Sequence, residues 1–301
     1  MSSEPKEAMN FRINCRGQLL DLSDRPKIMG ILNTTPDSFF DGGTFNKNRG
    51  SIDLDQALDH ALGMIRAGAS IIDIGGESSR PGADKISAKE EIERTLPLIE
   101  LLQRKTDVVI SIDTYKAEVA AKALQGGAHI VNDISAFTFD AALPEVCSRY
   151  RAAVILMHTP VKPETMQWST GTSSDGSDIL NRVNRFLANS IAIAERHAIH
   201  DIIIDPGFGF GKSVAENFQL LSQLSALCAL ERPILAGLSR KSFLGHAITP
   251  QGGEIPPPSE RLPATIAADT IALINGASIL RVHDVEAAMQ SMLIVEALKK
   301  F

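Results

Sequence analysis

Eight short apolar runs, each leaving on a polar or charged residue, limit what this chain can fold into more than any other feature of it. Asn33 follows Ile28 to Leu32, Asp73 follows Ile71-Ile72, Asp113 follows Val108 to Ile112, and Asn132 follows His129 to Val131. His158 closes Val154 to Met157, Asp205 closes Ile202 to Ile204, Ser239-Arg240-Lys241 follows Pro233 to Ala236, and Arg281-Val282-His283 follows Ser278 to Leu280. Between them run helix-period stripes: Leu54, Ala57, Leu58, Ala61, Leu62 and Ile65; Ile179, Val183, Phe186, Leu187 and Ile191; Val285, Ala288, Met289 and Met292. Ser87-x-x-Glu90 and Ser213-x-x-Glu216 have capping-box spacing, and Asp53-x-x-Gln56 comes close to it. Apolar strands alternating with amphipathic helices require a parallel sheet covered by helices. Eight such units in residues 27–298 predict an α/β single-domain (β/α)8 TIM barrel, preceded by an N-terminal extension over 1–26. In a barrel the strand exits share one rim, so these scattered polar residues would line one pocket.

A net charge of -6 argues against nucleic-acid or anionic-membrane partners bound through a general positive field. An anionic ligand then needs a local basic cluster. Cys15, Cys147 and Cys228 are odd in number and form no CxxC, which points to reduced thiols rather than disulfides or zinc. The N-terminal MSSEPKEAMNFR has no apolar core of a secretory signal, and a cytoplasmic protein is expected. Three long connections are candidate lids: Thr34 to Gly50, Gly75 to Ser87, and the stretch after His158 that runs through Gly176. Thr249 to Ser259, with three consecutive prolines, reads as an insertion without an assigned role.

Asp205 to Ser213 looks at first like a phosphate-binding P-loop, but Pro206 stands where that motif needs glycine. What remains is a glycine turn that lets backbone approach a flat ligand; a tight turn ending in a solvated Lys212 is the alternative. Ser239-Arg240-Lys241-Ser242 and Arg281-x-His283 form a positive corner on the seventh and eighth exits, where barrels often hold phosphate. Asp73, Asp113 and Asp205 either cap the following helices or, with Asn132, recognise a heterocycle rich in N–H donors and ring nitrogens. His158 reads as structural or rim-lining. Asn33 is a hard oxygen donor suited to Mg2+ shared with phosphates.

Taken in order, Met29 to Phe39, Ile72 to Ala83, Ser111 to Thr114, Asn132-Asp133-Ile134, Met157-His158, the Asp205 turn, Ser239 to Ser242 and Arg281-Val282-His283 resemble the motifs of the dihydropteroate synthase family of pterin-binding barrels, over about residues 27 to 298. The resemblance implies a transferase of folate biosynthesis, a sulfonamide target, that condenses 6-hydroxymethyl-7,8-dihydropterin diphosphate with 4-aminobenzoate to give 7,8-dihydropteroate and pyrophosphate. It implies that Asp113, Asn132, Asp205 and Lys241 grip the pterin, with Met157 also lining the substrate. It also implies that Asn33 with Mg2+, Arg281 and His283 hold the diphosphate, that Ser79, Arg80, Phe210 and Ser242 border the aminobenzoate, and that Asp41 and Arg80 close over the reacting centre. Lys241, Asp113, Arg80 and Asp41 are thus the candidate catalytic residues, and a homodimer is expected. Ser79 stands where the family commonly has Thr. The competing readings are a pterin-binding methyltransferase domain and a non-catalytic pterin-binding module.

Overall fold

Arg16 and Gly17, at φ 55° and 95°, make the two-residue turn that right-twisted hairpins favour. It joins β1 (Arg12–Cys15) to β2 (Gln18–Asp21), an antiparallel pair whose Ile13, Cys15 and Leu20 are buried. The structure, a computed structural model, describes residues 11–35, 53–78, 85–160 and 178–301. After the hairpin the chain alternates β3 (Lys27–Asn33), α1 (Leu54–Arg66), β4 (Ile71–Gly75), α2 (Ala88–Lys105), β5 (Val109–Asp113), α3 (Ala117–Gln125), β6 (Ile130–Asp133) and α4 (Leu143–Tyr150). It continues through β7 (Ala153–Met157), α5 (Ile179–Arg196), β8 (Ile202–Asp205), α6 (Val214–Ser222), β9 (Ile234–Ala236), α7 (Ser242–Ile248), α8 (Leu262–Ile274), β10 (Ala277–Val282) and α9 (Val285–Leu298). Strands β3 to β10 pair in parallel and close, with β10 beside β3, into the expected eight-stranded barrel.

The three helix stripes fall on α1, α5 and α9, and the starts are capped as their spacing indicated. Asp53 accepts from the Gln56 N–H at 3.1 Å, Ser87 from that of Glu90 at 3.1 Å, and Ser213 with Glu216 forms a reciprocal capping box. Unit seven carries two helices, α7 and α8, and the proline-rich segment lies between them. Among the described residues no helix is long and apolar enough to cross a membrane.

The hairpin closes the lower end of the barrel. Met29, Ile71, Val109, Ile130, Ile155, Ile203, Leu235 and Ile279, one from each strand, pack with Ile13, Cys15, Leu20 and Leu22 into a single apolar layer. Hydrogen bonds pin the plug at its edges: Asn14 N–H to Asp201 at 2.6 Å, Arg16 to the Leu124 carbonyl at 2.7 Å, and Gln18 to the Asp107 carbonyl. With the lower end filled, the interior of the barrel opens at the C-terminal mouth.

Candidate functional site

Side chains alternate along a strand, so every second residue above the apolar layer faces the barrel axis. Asp73 lies two positions beyond Ile71, Asn132 two beyond Ile130, Asp205 two beyond Ile203, Arg281 two beyond Ile279, and Asp113 four beyond Val109. Register thus turns the interior from apolar to charged within one or two steps. Arg281 Nε bonds Asp73 Oδ2 at 2.6 Å and Nη2 bonds Asp113 Oδ2 at 2.6 Å; Asn132 Nδ2 donates to the same Asp73 oxygen at 3.0 Å. Asp73 is 0% exposed, and its Oδ1 has no partner among the described residues. Burial drives the Asp113 carboxyl up to about 7, with Arg281 pulling it down and Asp73 pushing it further up. Burial opposes the Arg281 charge, but Asp73 and Asp113 outweigh it and raise that group above its usual value. None of these aspartates caps a helix; the capping alternative does not hold for Asp73 or Asp113, whose carboxylates meet Arg281 instead.

Across the mouth, Asp205 Oδ1 accepts the Gly207 N–H at 2.7 Å, and its carboxyl is raised by burial against the pull of that bond and of Lys241. Lys241 donates to the Phe208 carbonyl at 2.6 Å and stands 4.1 Å from the Phe210 ring centroid, a cation–π distance. Burial lowers its ammonium to about 7, opposed by Asp205. Ile134, Met157 and Phe210, with Tyr115 against them, form a separate apolar cluster. Carboxylate and amide acceptors, a lysine and an apolar cluster beside one another suit a flat ring with polar edges.

The anion corner is built differently from the expectation. Ser239 Oγ lies 2.9 Å from His283 Nδ1 and accepts the His283 N–H at 3.2 Å, which ties the seventh exit to the eighth. Arg240, however, adopts φ 57° and forms a two-point pair with Asp284, Nε to Oδ2 at 3.0 Å and Nη2 to Oδ1 at 2.8 Å. It braces the loop, so the positive corner rests on Lys241, Arg281 and His283. Ser242 begins α7, which is only seven residues long and contributes little dipole. His158 is structural, as expected: buried, edge-on to Phe186 at 4.9 Å, and held neutral by burial, which lowers it to about 2.

Asn33 ends β3 in register with Gly75, which is in register with Asp113. No group of three or more His, Cys, Asp or Glu able to cage a metal occurs among the described residues. A Cβ on Gly75 would stand 3.4 Å from Asn33 Oδ1 and 3.7 Å from Asp113 Oδ2, so an amide oxygen borders a carboxylate oxygen there, donors that fit a hard cation taking its other ligands from phosphate and water, as Mg2+ does. Asp41, Ser79 and Arg80 lie outside the described residues.

Several buried polar positions around the mouth escaped the sequence. Asp73 was legible as a strand exit but not as the buried partner of an arginine 208 residues away. Lys212 is not solvated but 1% exposed. Asp133 accepts from the Ser135 and Phe137 N–H groups at 2.8 and 2.6 Å and shapes the loop carrying Ile134; burial raises it to about 6. Lys116 bonds Glu77 at 3.2 Å, Glu91 at 2.7 Å and the Ile86 carbonyl at 2.8 Å, joining the two roots of the loop that bears Ser79 and Arg80.

A family model described as pterin binding enzyme matches residues 29–283. A dihydropteroate synthase of Synechocystis is 45% identical over 282 residues, 93% of this chain and 92% of that one. The Yersinia pestis dihydropteroate synthase solved with a sulfonamide drug is 43% identical, with a TM-score of 0.86 over 97% of this chain and 100% of that one. The Xanthomonas albilineans enzyme in complex with 7,8-dihydropteroate is 38% identical, with a TM-score of 0.81 over 97% of this chain and 100% of that one. Family model, sequence relatives and barrel mouth agree, and the chain belongs to the pterin-binding enzymes.

Proposed function

We infer that this chain is a dihydropteroate synthase, a transferase of folate biosynthesis that joins 6-hydroxymethyl-7,8-dihydropterin diphosphate to 4-aminobenzoate. The observation that carries the reading is the mouth itself, with Asp113, Asn132, Asp205 and Lys241 around one slot walled by Met157 and Phe210, in a chain similar end to end to such enzymes. A methyltransferase domain or a non-catalytic module is not favoured, because the whole-chain likeness is to the synthases.

In this reading Asp113, Asn132 and Asp205 accept and donate along the polar edge of the pterin, while Lys241 holds its opposite edge. Arg281 and His283 face the diphosphate, and Ser79, Arg80, Phe210 and Ser242 border the aminobenzoate. Asp41 and Arg80, on the first two long loops, cover the centre. Asn33 would hold Mg2+, which when bound would neutralise charge on the departing diphosphate. The CH2–O bond to the diphosphate breaks, a bond from the arylamine nitrogen to that CH2 forms, and the arylamine loses one proton. The electron-rich pterin stabilises the CH2 as it loses the leaving group, so a dissociative path needs no strong base. The free Cys15, Cys147 and Cys228 agree with a cytoplasmic location. Exposed Ile271 and Ile274 on α8 and Leu293, Ile294 and Leu298 on α9 favour a homodimer through these helices.

Purified protein given both substrates should release pyrophosphate and dihydropteroate in equal amounts, stop when EDTA is added and resume with Mg2+, while sedimenting at twice the chain mass. Pterin binding without turnover would turn the assignment toward a binding module.

A further inference from the structure

The glycine turn after β8 contains a buried lysine that the chemistry above does not use. Lys212 Nζ donates to three carbonyls, those of Gly207 at 2.6 Å, Phe210 at 3.1 Å and His158 at 3.3 Å. Three N–H donors meet three acceptors, and at 1% exposure the ammonium has no route to the mouth. Removing an ammonium from water is costly, so its presence implies that the carbonyls it satisfies are costlier left unpaired. The turn that presents them is unusual: Gly207, Gly209 and Gly211 all have positive φ, 69°, 79° and 57°, and the Gly207 carbonyl also accepts the Phe210 N–H at 3.2 Å. A Cβ on Gly207 would stand 2.0 Å from the His158 oxygen, so the exits of β7 and β8 touch there. Asn217 fixes the other side, accepting the Gly209 N–H at 2.7 Å and donating to the Lys212 and Ser213 carbonyls at 3.2 and 2.8 Å.

The carbonyls of this turn are divided between two lysines. Those of Gly207 and Phe210 go to Lys212 beneath it, and that of Phe208 goes to Lys241 above it at 2.6 Å. The ring lying 4.1 Å from Lys241 is Phe210, whose own carbonyl Lys212 holds. We propose that Lys212 is a positioning residue for Lys241, fixing the glycine turn so that the Phe208 carbonyl and the Phe210 ring keep the Lys241 ammonium at the mouth. This rests on the dihydropteroate synthase reading, and it concerns the path through Lys241, the Asp205 carboxylate held by the Gly207 N–H being a second contact of the same turn.

A double-mutant cycle tests it: kcat and KM for both substrates in the wild type, Lys212→Met, Lys241→Met and the double variant, with thermal unfolding to verify each fold. Lys212→Met should lower kcat about 100-fold, the scale of a small misplacement of a reacting group. The double variant should be slower than Lys241→Met by far less than the roughly 100-fold of the single variant, because a residue acting mainly through another adds little once that other is gone. Multiplying losses would overturn the proposal, as would wild-type turnover by Lys212→Met. Should Lys212→Met not fold, Lys212→Arg keeps charge and donors in altered geometry and must show the same non-additivity with Lys241→Met. An inactive wild type would sink the enzyme reading alone, and the cycle would then be read in dihydropterin binding by fluorescence.

Discussion

The two ends of the barrel are made from the same strands and obey opposite rules. At the lower end each of the eight strands contributes an apolar residue to a closed layer, and the hairpin brings Ile13, Cys15 and Leu20 to complete it. At the mouth, two or four residues further along the same strands, Asp73, Asp113, Asn132, Asp205 and Arg281 face one another. The lower layer is apolar throughout. Among the described residues the mouth leaves Asp73 Oδ1 without a partner, and it holds Asp113 and Lys241 near 7, far from their usual ranges. The difference is one of register, not of separate domains: an apolar layer lies below and recognition above, and a slip of one residue in any strand would turn its axis-facing side chains toward the helices.

The largest expected effect comes from removing the cation that links three strands of the mouth. Arg281→Met leaves the fully buried Asp73 carboxylate without a counter-charge, which should cost about 3 kcal/mol of stability. It should also lower dihydropteroate formation about 1,000-fold through lost stabilisation of the diphosphate. Adding Asp73→Asn separates the two roles, since it removes the stranded charge. Denaturant melts of the double variant should recover most of the stability, while its turnover stays low. Recovery of turnover would mean that Arg281 serves only to neutralise Asp73.

How much of this was legible follows the range of the interactions. The strand exits, the stripes of α1, α5 and α9 and the caps at Asp53, Ser87 and Ser213 are local patterns, and the structure carries all of them. The hairpin was missed because Ile13, Cys15 and Leu20 alternate over strands of only four residues, too short to stand out from the polar segment around them. Arg240 reads as a ligand-facing cation until its positive φ turns it to Asp284, and nothing in a non-glycine residue announces that backbone. Lys212 is the strongest case. A lysine after a glycine turn belongs in water unless the carbonyls beneath it are known, and those come from residues 207, 210 and 158 together. The aromatic and aliphatic wall of Ile134, Met157 and Phe210 was half-seen for the same reason, being joined from the end of β7 and the segments after β6 and β8.

At the lower end the comparison is broken by Ile13→Ala. Ile13 is 5% exposed and packs in the plug, so its truncation should cost about 2–4 kcal/mol. Because no part of the plug reaches the mouth, kcat and KM measured in the cold should match the wild type. A raised KM at full folding would show that the lower layer sets the geometry of the upper one, and the separation drawn above would fail.

The smallest effect concerns a buried carboxyl that belongs to neither end. Asp269, on α8, is 1% exposed, its Oδ1 has no partner among the described residues, and burial followed by the charge of Asp284 raises it to about 8. A carboxyl whose folded value lies above its unfolded value of 3.8 contributes stability only while it is protonated in the fold; that contribution declines as pH rises from about 4 and is gone above about 8. Asp269→Asn does not titrate, so its melting temperature relative to the wild type should rise between about pH 5 and about pH 9, by about 2–4 °C for each kcal/mol. Turnover should not change, since Asp269 touches nothing at the mouth. If the difference in melting temperature stays flat, the carboxyl is charged and satisfied in the fold, and burial near the mouth, not burial itself, is what shifts Asp113.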